Sequence, residues 1–210
     1  MEAVPFRIQA KGKQLEGDLV LPPEAKSLVL FAHGSGSSRH SPRNRHIAEV
    51  LQQVGIGTLL FDLLTPQEDA LADNRFDIEL LTRRLIAATR DLRERPQTSK
   101  LSLGYFGAST GAAAALQAAA ELGPQIRALV SRGGRPDLAM EVLDRVQAPT
   151  LLIVGGYDDV VITWNQEAYE RLRCTKRLEI VPGATHLFEE PGKLEAVAAL
   201  ARDWFEKYLG

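Results

Sequence analysis

Six short apolar runs recur along this chain: Ser27–Ala32, Gly57–Phe61, Leu101–Phe106, Ile126–Val130, Thr150–Val154 and Arg177–Val181. Strands formed from such continuous runs must bury both faces, which is the condition of a central parallel strand covered by helices on either side. The intervening segments supply the helices. Phe76, Leu80, Leu81, Leu85, Ala88 and Leu92 recur at spacings of three and four, with Asp73 or Asn74 as N-cap and Pro96 just past the end. Ala112–Leu122 reads as an alanine-rich helix closed by Gly123-Pro124, and Leu194, Val197, Ala198, Ala201, Trp204 and Tyr208 as the stripe of a last helix starting near Pro191. Ahead of all this, Phe6–Ala10 and Leu15–Leu21 alternate in short stretches separated by Gly12 and ended by Pro22-Pro23, which predicts an antiparallel hairpin. The expected class is α/β: a doubly wound, mostly parallel sheet with an N-terminal antiparallel hairpin.

With 210 residues and no repeat or linker, the chain is expected to form one domain over residues 1–210. Its net charge of −2 gives no global attraction to nucleic acid or anionic membrane. The local arginines lack interleaved aromatics or a basic amphipathic helix, so neither partner is expected. One cysteine, Cys174, rules out an internal disulfide and is expected in a helix as a small packed residue. The segment Met1–Pro5 lacks a basic n-region and an apolar h-region, and no apolar run is long enough to span a bilayer. A cytoplasmic location is the simplest expectation.

Gly107-Ala108-Ser109-Thr110-Gly111 carries the chemistry. Following a buried strand and opening a helix, G-x-S-x-G forms a strained turn that holds a serine hydroxyl above the sheet. The bland alternative is a tight turn with an exposed serine; the flanking strand and helix favour catalysis. A serine nucleophile needs a base, and the base an orienting acid. The run Thr150–Val154 ends in Gly155-Gly156-Tyr157-Asp158-Asp159, and Arg177–Val181 ends in Pro182-Gly183-Ala184-Thr185-His186. Ser109, Asp158 and His186 therefore follow in the order Ser, acid, His, each at the end of a strand. Spacing does not separate Asp158 from Asp159; Asp158 is favoured as nearer the strand end. Two amides are expected to form the oxyanion hole, that of Thr110 and that of Ser35 in His33-Gly34-Ser35-Gly36. His33 precedes the nucleophile and is read as shaping that loop. Arg39, Arg43 and Arg135 lie in two basic stretches at the same sheet edge and are candidates for pairing an anionic substrate group, against the alternative of local salt bridges with the acidic stretch Glu68–Asp73.

These four stretches together resemble the α/β-hydrolases of the dienelactone hydrolase-like group, and the likeness covers essentially the whole chain. Dienelactone hydrolases proper use a cysteine nucleophile, whereas the turn here carries Ser109. The resemblance therefore implies a carboxylic-ester hydrolase working through an acyl-enzyme on a small-molecule ester, with no cofactor and no metal. Many hydrolases of this fold insert a lid after the strand ending at Val130. Here the chain has room only for a single helix near Pro136–Arg145, so an open cleft is expected. The competing readings are a non-catalytic binder built on the same scaffold, and a hydrolase of thioesters or amides.

Overall fold

A computed structural model describes residues 2–210; Met1, part of the leader reading, lies outside the described residues. The chain runs β1 (Val4–Ala10), β2 (Lys13–Val20), β3 (Ser27–Ala32), α1 (Pro42–Gln53), β4 (Gly57–Phe61) and a short α2 (Pro66–Asp69). After a 3₁₀ turn at Ala72–Phe76 come α3 (Ile78–Glu94), β5 (Ser102–Ala108), α4 (Thr110–Leu122) and β6 (Ile126–Arg132). The 3₁₀ segment Pro136–Arg145 leads to β7 (Thr150–Gly155), α5 (Asp159–Arg171), β8 (Lys176–Val181) and α6 (Lys193–Leu209). The strands form one eight-stranded sheet in the order β1-β2-β4-β3-β5-β6-β7-β8. The β1–β2 and β2–β4 pairs are antiparallel and all others parallel, so the sheet is the expected one, hairpin included.

Side chains alternate across the strands and divide the interior into two apolar layers. On one face Leu28, Leu30, Leu59, Phe61, Leu103 and Tyr105 meet α3 and α4, whose buried stripes include Leu81, Leu85, Leu92 and the alanines 113–115. On the other, Val29, Phe31, Phe106, Val130 and Ile153 meet Ile47 and Leu51 of α1 and Val197, Ala201 and Phe205 of α6. Every residue of β3, β4 and β7 is buried, as the continuous apolar runs require. The alanine-rich composition of α4 lets it lie close against the sheet and α3, with Ala112–Ala115, Ala118 and Ala119 all without exposed surface.

Four local expectations are corrected. The helix read from Phe76 begins at Ile78 with Asp77 as its N-cap, accepting from the Leu80 amide at 2.9 Å, because Phe76 stays exposed in the preceding 3₁₀ turn. Asp73 and Asn74 lie inside that turn. Cys174 is not helical: α5 ends at Arg171, and the half-buried thiol lies 3.7 Å from the Thr150 hydroxyl. The last run is not doubly covered, for β8 is an edge strand in which only Val181 is buried. The basic segment after the His33 loop forms α1, capped by Ser41 with Pro42 in its first turn, a start signal that its charge density masked.

Phe31 and Phe106 stack at 4.9 Å between centroids on adjacent strands, fully inside the α1–α6 layer. Replacing Phe31 by alanine is expected to cost about 3–5 kcal/mol of unfolding free energy. Urea titration of the two proteins measures it; a change below about 1 kcal/mol would mean that the layer repacks around the gap.

Candidate active site

The carboxyl ends of β3, β5 and β6 meet at Ser109. Its backbone has φ +51° and ψ −121°, a left-handed conformation that a serine adopts only when its surroundings enforce it. Two glycines enforce it here. A Cβ on Gly107 would stand 2.4 Å from the Ala112 Cα, and one on Gly111 only 2.1 Å from the Ala32 carbonyl oxygen. The turn is further tied by the Ser109 amide donating to the Arg132 carbonyl at 3.2 Å and the Arg135 amide donating to the Ser109 carbonyl at 3.1 Å. The result is a half-buried serine at the start of α4, where the first-turn amides and the helix dipole favour negative charge.

The two loops after β7 and β8 touch backbone to backbone. A Cβ on Gly155 would lie 2.5 Å from the carbonyl oxygens of both Ala184 and Thr185, and the Tyr157 amide donates to the Ala184 carbonyl at 3.0 Å. This contact sets Asp158 against His186, with Nδ1 to Oδ2 at 2.6 Å. Asp159, the other candidate, is the exposed first residue of α5, and the hydrogen bond from the imidazole goes to Asp158 instead. Gly133 supplies the floor: its missing side chain leaves room for the His186 ring, which would come within 3.3 Å of a Cβ. Gly133 follows Arg132, whose carbonyl holds the Ser109 amide, so serine and histidine are registered through one strand end.

Gly34 passes close to Ser109, its would-be Cβ 3.1 Å from the Ser109 Cβ. The Ser35 amide donates to Thr110 Oγ1 at 3.0 Å. His33 fixes this loop from behind, its Nδ1–H on the Gly34 carbonyl at 3.0 Å while Nε2 accepts from the Leu63 amide at 3.1 Å. Both bonds together require the neutral ring, and burial lowers the His33 pKa, a shift only partly opposed by the Gly34 carbonyl and by Asp62 and Asp69. Beside the loop a depression of about 10 Å³ opens between Ser35, Leu64, Asp69, Arg75 and Leu81.

The three arginines are each held by a nearby carboxylate. Arg39 pairs with Asp62 and lies 3.8 Å from Asp18; Arg43 meets Glu189 at 2.9 Å. Arg135 meets Asp137 at 2.8 Å and covers the Trp164 ring at 4.3 Å. None uses the Glu68–Asp73 stretch, whose Glu68 and Asp69 pair with Arg84 and Arg75. Arg132, the neighbour that sequence reasoning passed over within the same basic stretch, is the buried one. Its side of the strand was readable from the parity of Ala128 and Val130; its burial was not. Among the described residues no group of three or more His, Cys, Asp or Glu side chains is placed to hold a metal, and no helix is long and apolar enough to cross a membrane.

Residues 56–209 match the dienelactone hydrolase family. A dienelactone hydrolase structure from Anabaena variabilis is 56% identical, with TM-score 0.97 over 100% of this chain and 99% of that one. A lidless α/β serine hydrolase from Xanthomonas campestris shares the fold at 24% identity, TM-score 0.76, over 99% and 95% of the two chains. A Mycobacterium tuberculosis protein named a phosphoribosyl transferase is 60% identical over 193 residues. Those residues are 92% of this chain but 44% of that protein, so the chain spans less than half the length of that relative.

The His33 ring gives a pH prediction. Its folded pKa lies below the unfolded value of about 6.5, so the unfolded state binds the proton first. Stability from the neutral ring is complete above that value and is lost as pH falls from it toward the folded pKa. Unfolding free energies from urea titrations between pH 7.5 and 5 should fall on acidification. In His33→Gln this part of the slope should disappear; an unchanged slope would place the proton elsewhere.

Proposed function

We propose that this chain, which belongs to the dienelactone hydrolase family, is a serine hydrolase of small carboxylic esters, with Ser109 as nucleophile, His186 as base and Asp158 as its orienting acid. The observation that carries this reading is the 2.6 Å contact between His186 Nδ1 and Asp158 Oδ2. A carboxylate on Nδ1 fixes the tautomer with Nε2 unprotonated, which is what a general base for a hydroxyl requires.

In this reading the Ser109 hydroxyl adds to the ester carbonyl while His186 Nε2 takes its proton. The tetrahedral oxyanion is held by the Thr110 amide at the start of α4 and by the Ser35 amide. An oxyanion accepts a stronger hydrogen bond than the neutral Thr110 hydroxyl, so it displaces that hydroxyl from the Ser35 amide as charge develops. Collapse expels the alcohol with the proton from His186, and water attacks the acyl-serine by the same route in reverse.

Two features bear on the substrate. The depression beside Ser35 has room for about one water and is lined by none of Ser109, Thr110 and His186, so it offers no slot for a long acyl chain. Arg39, Arg43 and Arg135 are already neutralised by carboxylates, so an anionic substrate would have to break an existing pair; neutral esters are the class we propose. The phosphoribosyl transfer named for the longer mycobacterial relative belongs, in this reading, to the length of that protein beyond the 44% matched here.

Wild-type protein should label with a fluorophosphonate and hydrolyse p-nitrophenyl acetate faster than p-nitrophenyl octanoate, and Ser109→Ala should abolish both labelling and turnover. Failure of folded wild-type protein to label or turn over would remove the hydrolase reading. Asp158→Asn should lower kcat by about 10³–10⁴, whereas Asp159→Asn should change it by less than about threefold. Equal losses in the two variants would overturn the choice of acid.

A further inference from the structure

Arg132 closes β6 with its side chain on the α1 face of the sheet, continuing the alternation of Ala128 and Val130 in the α1–α6 layer. It is only 7% exposed, yet its Nε and Nη1 are buried without a hydrogen-bond partner and no carboxylate among the described residues pairs with it. The charge that acts on it is another cation, Arg43 of α1, whose Nε is also buried and unpartnered. Burial and that neighbour push the Arg132 pKa down to about 10, so the guanidinium still carries its charge at neutral pH. A buried charge with no counterion costs several kcal/mol, which native structures offset by pairing.

The unpartnered groups are three nitrogens carrying four N–H protons, three on Nε and Nη1 of Arg132 and one on Nε of Arg43. A guanidinium has donors only, and a single water accepts at most two of them while bringing two protons of its own. A monatomic anion has no protons of its own, accepts from several N–H groups at once and supplies the missing charge. Glu189 answers Arg43 through Nη1 at 2.9 Å, but its carboxylate is 63% exposed and leaves the Arg132 charge unanswered. We propose that Arg132 and Arg43 form a buried binding site for a small monovalent anion of the halide class. The site lies behind the candidate active centre: the Arg132 carbonyl accepts from the Ser109 amide, and Gly133, the next residue, underlies His186. It is distinct from substrate recognition and does not depend on the hydrolase reading.

Crystals of the wild-type protein soaked in bromide and measured at the bromine edge should show an anomalous peak within about 3.5 Å of the Arg132 guanidinium. In solution, the thermal midpoint should be higher in chloride or bromide than in gluconate at equal ionic strength, by roughly 3–6 °C at about ten times the Kd. General salt effects run the other way, since strongly hydrated anions excluded from protein surfaces are the ones that stabilise non-specifically. Arg132→Met should lose the halide-dependent part of the shift. A wild-type site holding only water in bromide, or equal midpoints in halide and gluconate, would overturn the proposal. Because the diffraction experiment uses the unmodified protein, a variant that does not fold leaves the outcome decided.

Discussion

Gly111 lies so close to the end of β3 that any side chain would penetrate the Ala32 carbonyl, and Gly107 is equally pressed against Ala112. This contact between β3, the end of β5 and the first turn of α4 fixes everything at the carboxyl edge of the sheet. It forces Ser109 to positive φ, which costs about 1–3 kcal/mol and is sustained by the buried layers on either side. It also brings the His33 loop against Ser109, so that Gly34 and Ser35 stand beside the serine although some 75 residues separate them in sequence. The second glycine-dependent approach, Gly155 against the Ala184 and Thr185 carbonyls, does for Asp158 and His186 what the first does for Ser109.

Around this edge the charges are largely settled among themselves. Asp62, Glu189 and Asp137 each answer one of the three arginines, and His33 is kept neutral by its burial and by the Leu63 amide that donates to its Nε2. Arg132 is the exception: its charge is enclosed with its strand and answered by no side chain among the described residues. The edge therefore combines surface pairs, each of modest energetic weight, with one interior cation whose compensation has a much larger effect.

Most of the sheet was legible because its strands are apolar on both faces, a pattern that β3, β4 and β7 carry almost without interruption. The placing of Ser109, Asp158 and His186 at strand ends was legible for the same reason, since a strand's end fixes where the following loop emerges. Spacing did not separate Asp158 from Asp159, and only nearness to the strand end favoured Asp158; the meeting of the Gly155 and Ala184 backbones sets Asp158 against His186. The start of α3 was misread because Phe76 fits the helical spacing but lies outside the buried stripe. The partners of Arg39 and Arg43 were hidden because Asp62 and Glu189 are 23 and 146 residues away in sequence, distances over which no local pattern carries information.

The two ends of the sheet have a bearing on how copies of this chain can meet. At one end β1 carries Pro5, which has no amide proton to donate, together with an exposed Arg7. At the other, β8 is studded with Lys176, Arg177 and Glu179. A ladder continued from one molecule to the next would have to accept a missing donor on one side or crowd ionised side chains on the other. Contact between copies through strand pairing is thereby discouraged at both margins, and lateral growth of the sheet into fibres meets the same obstacle.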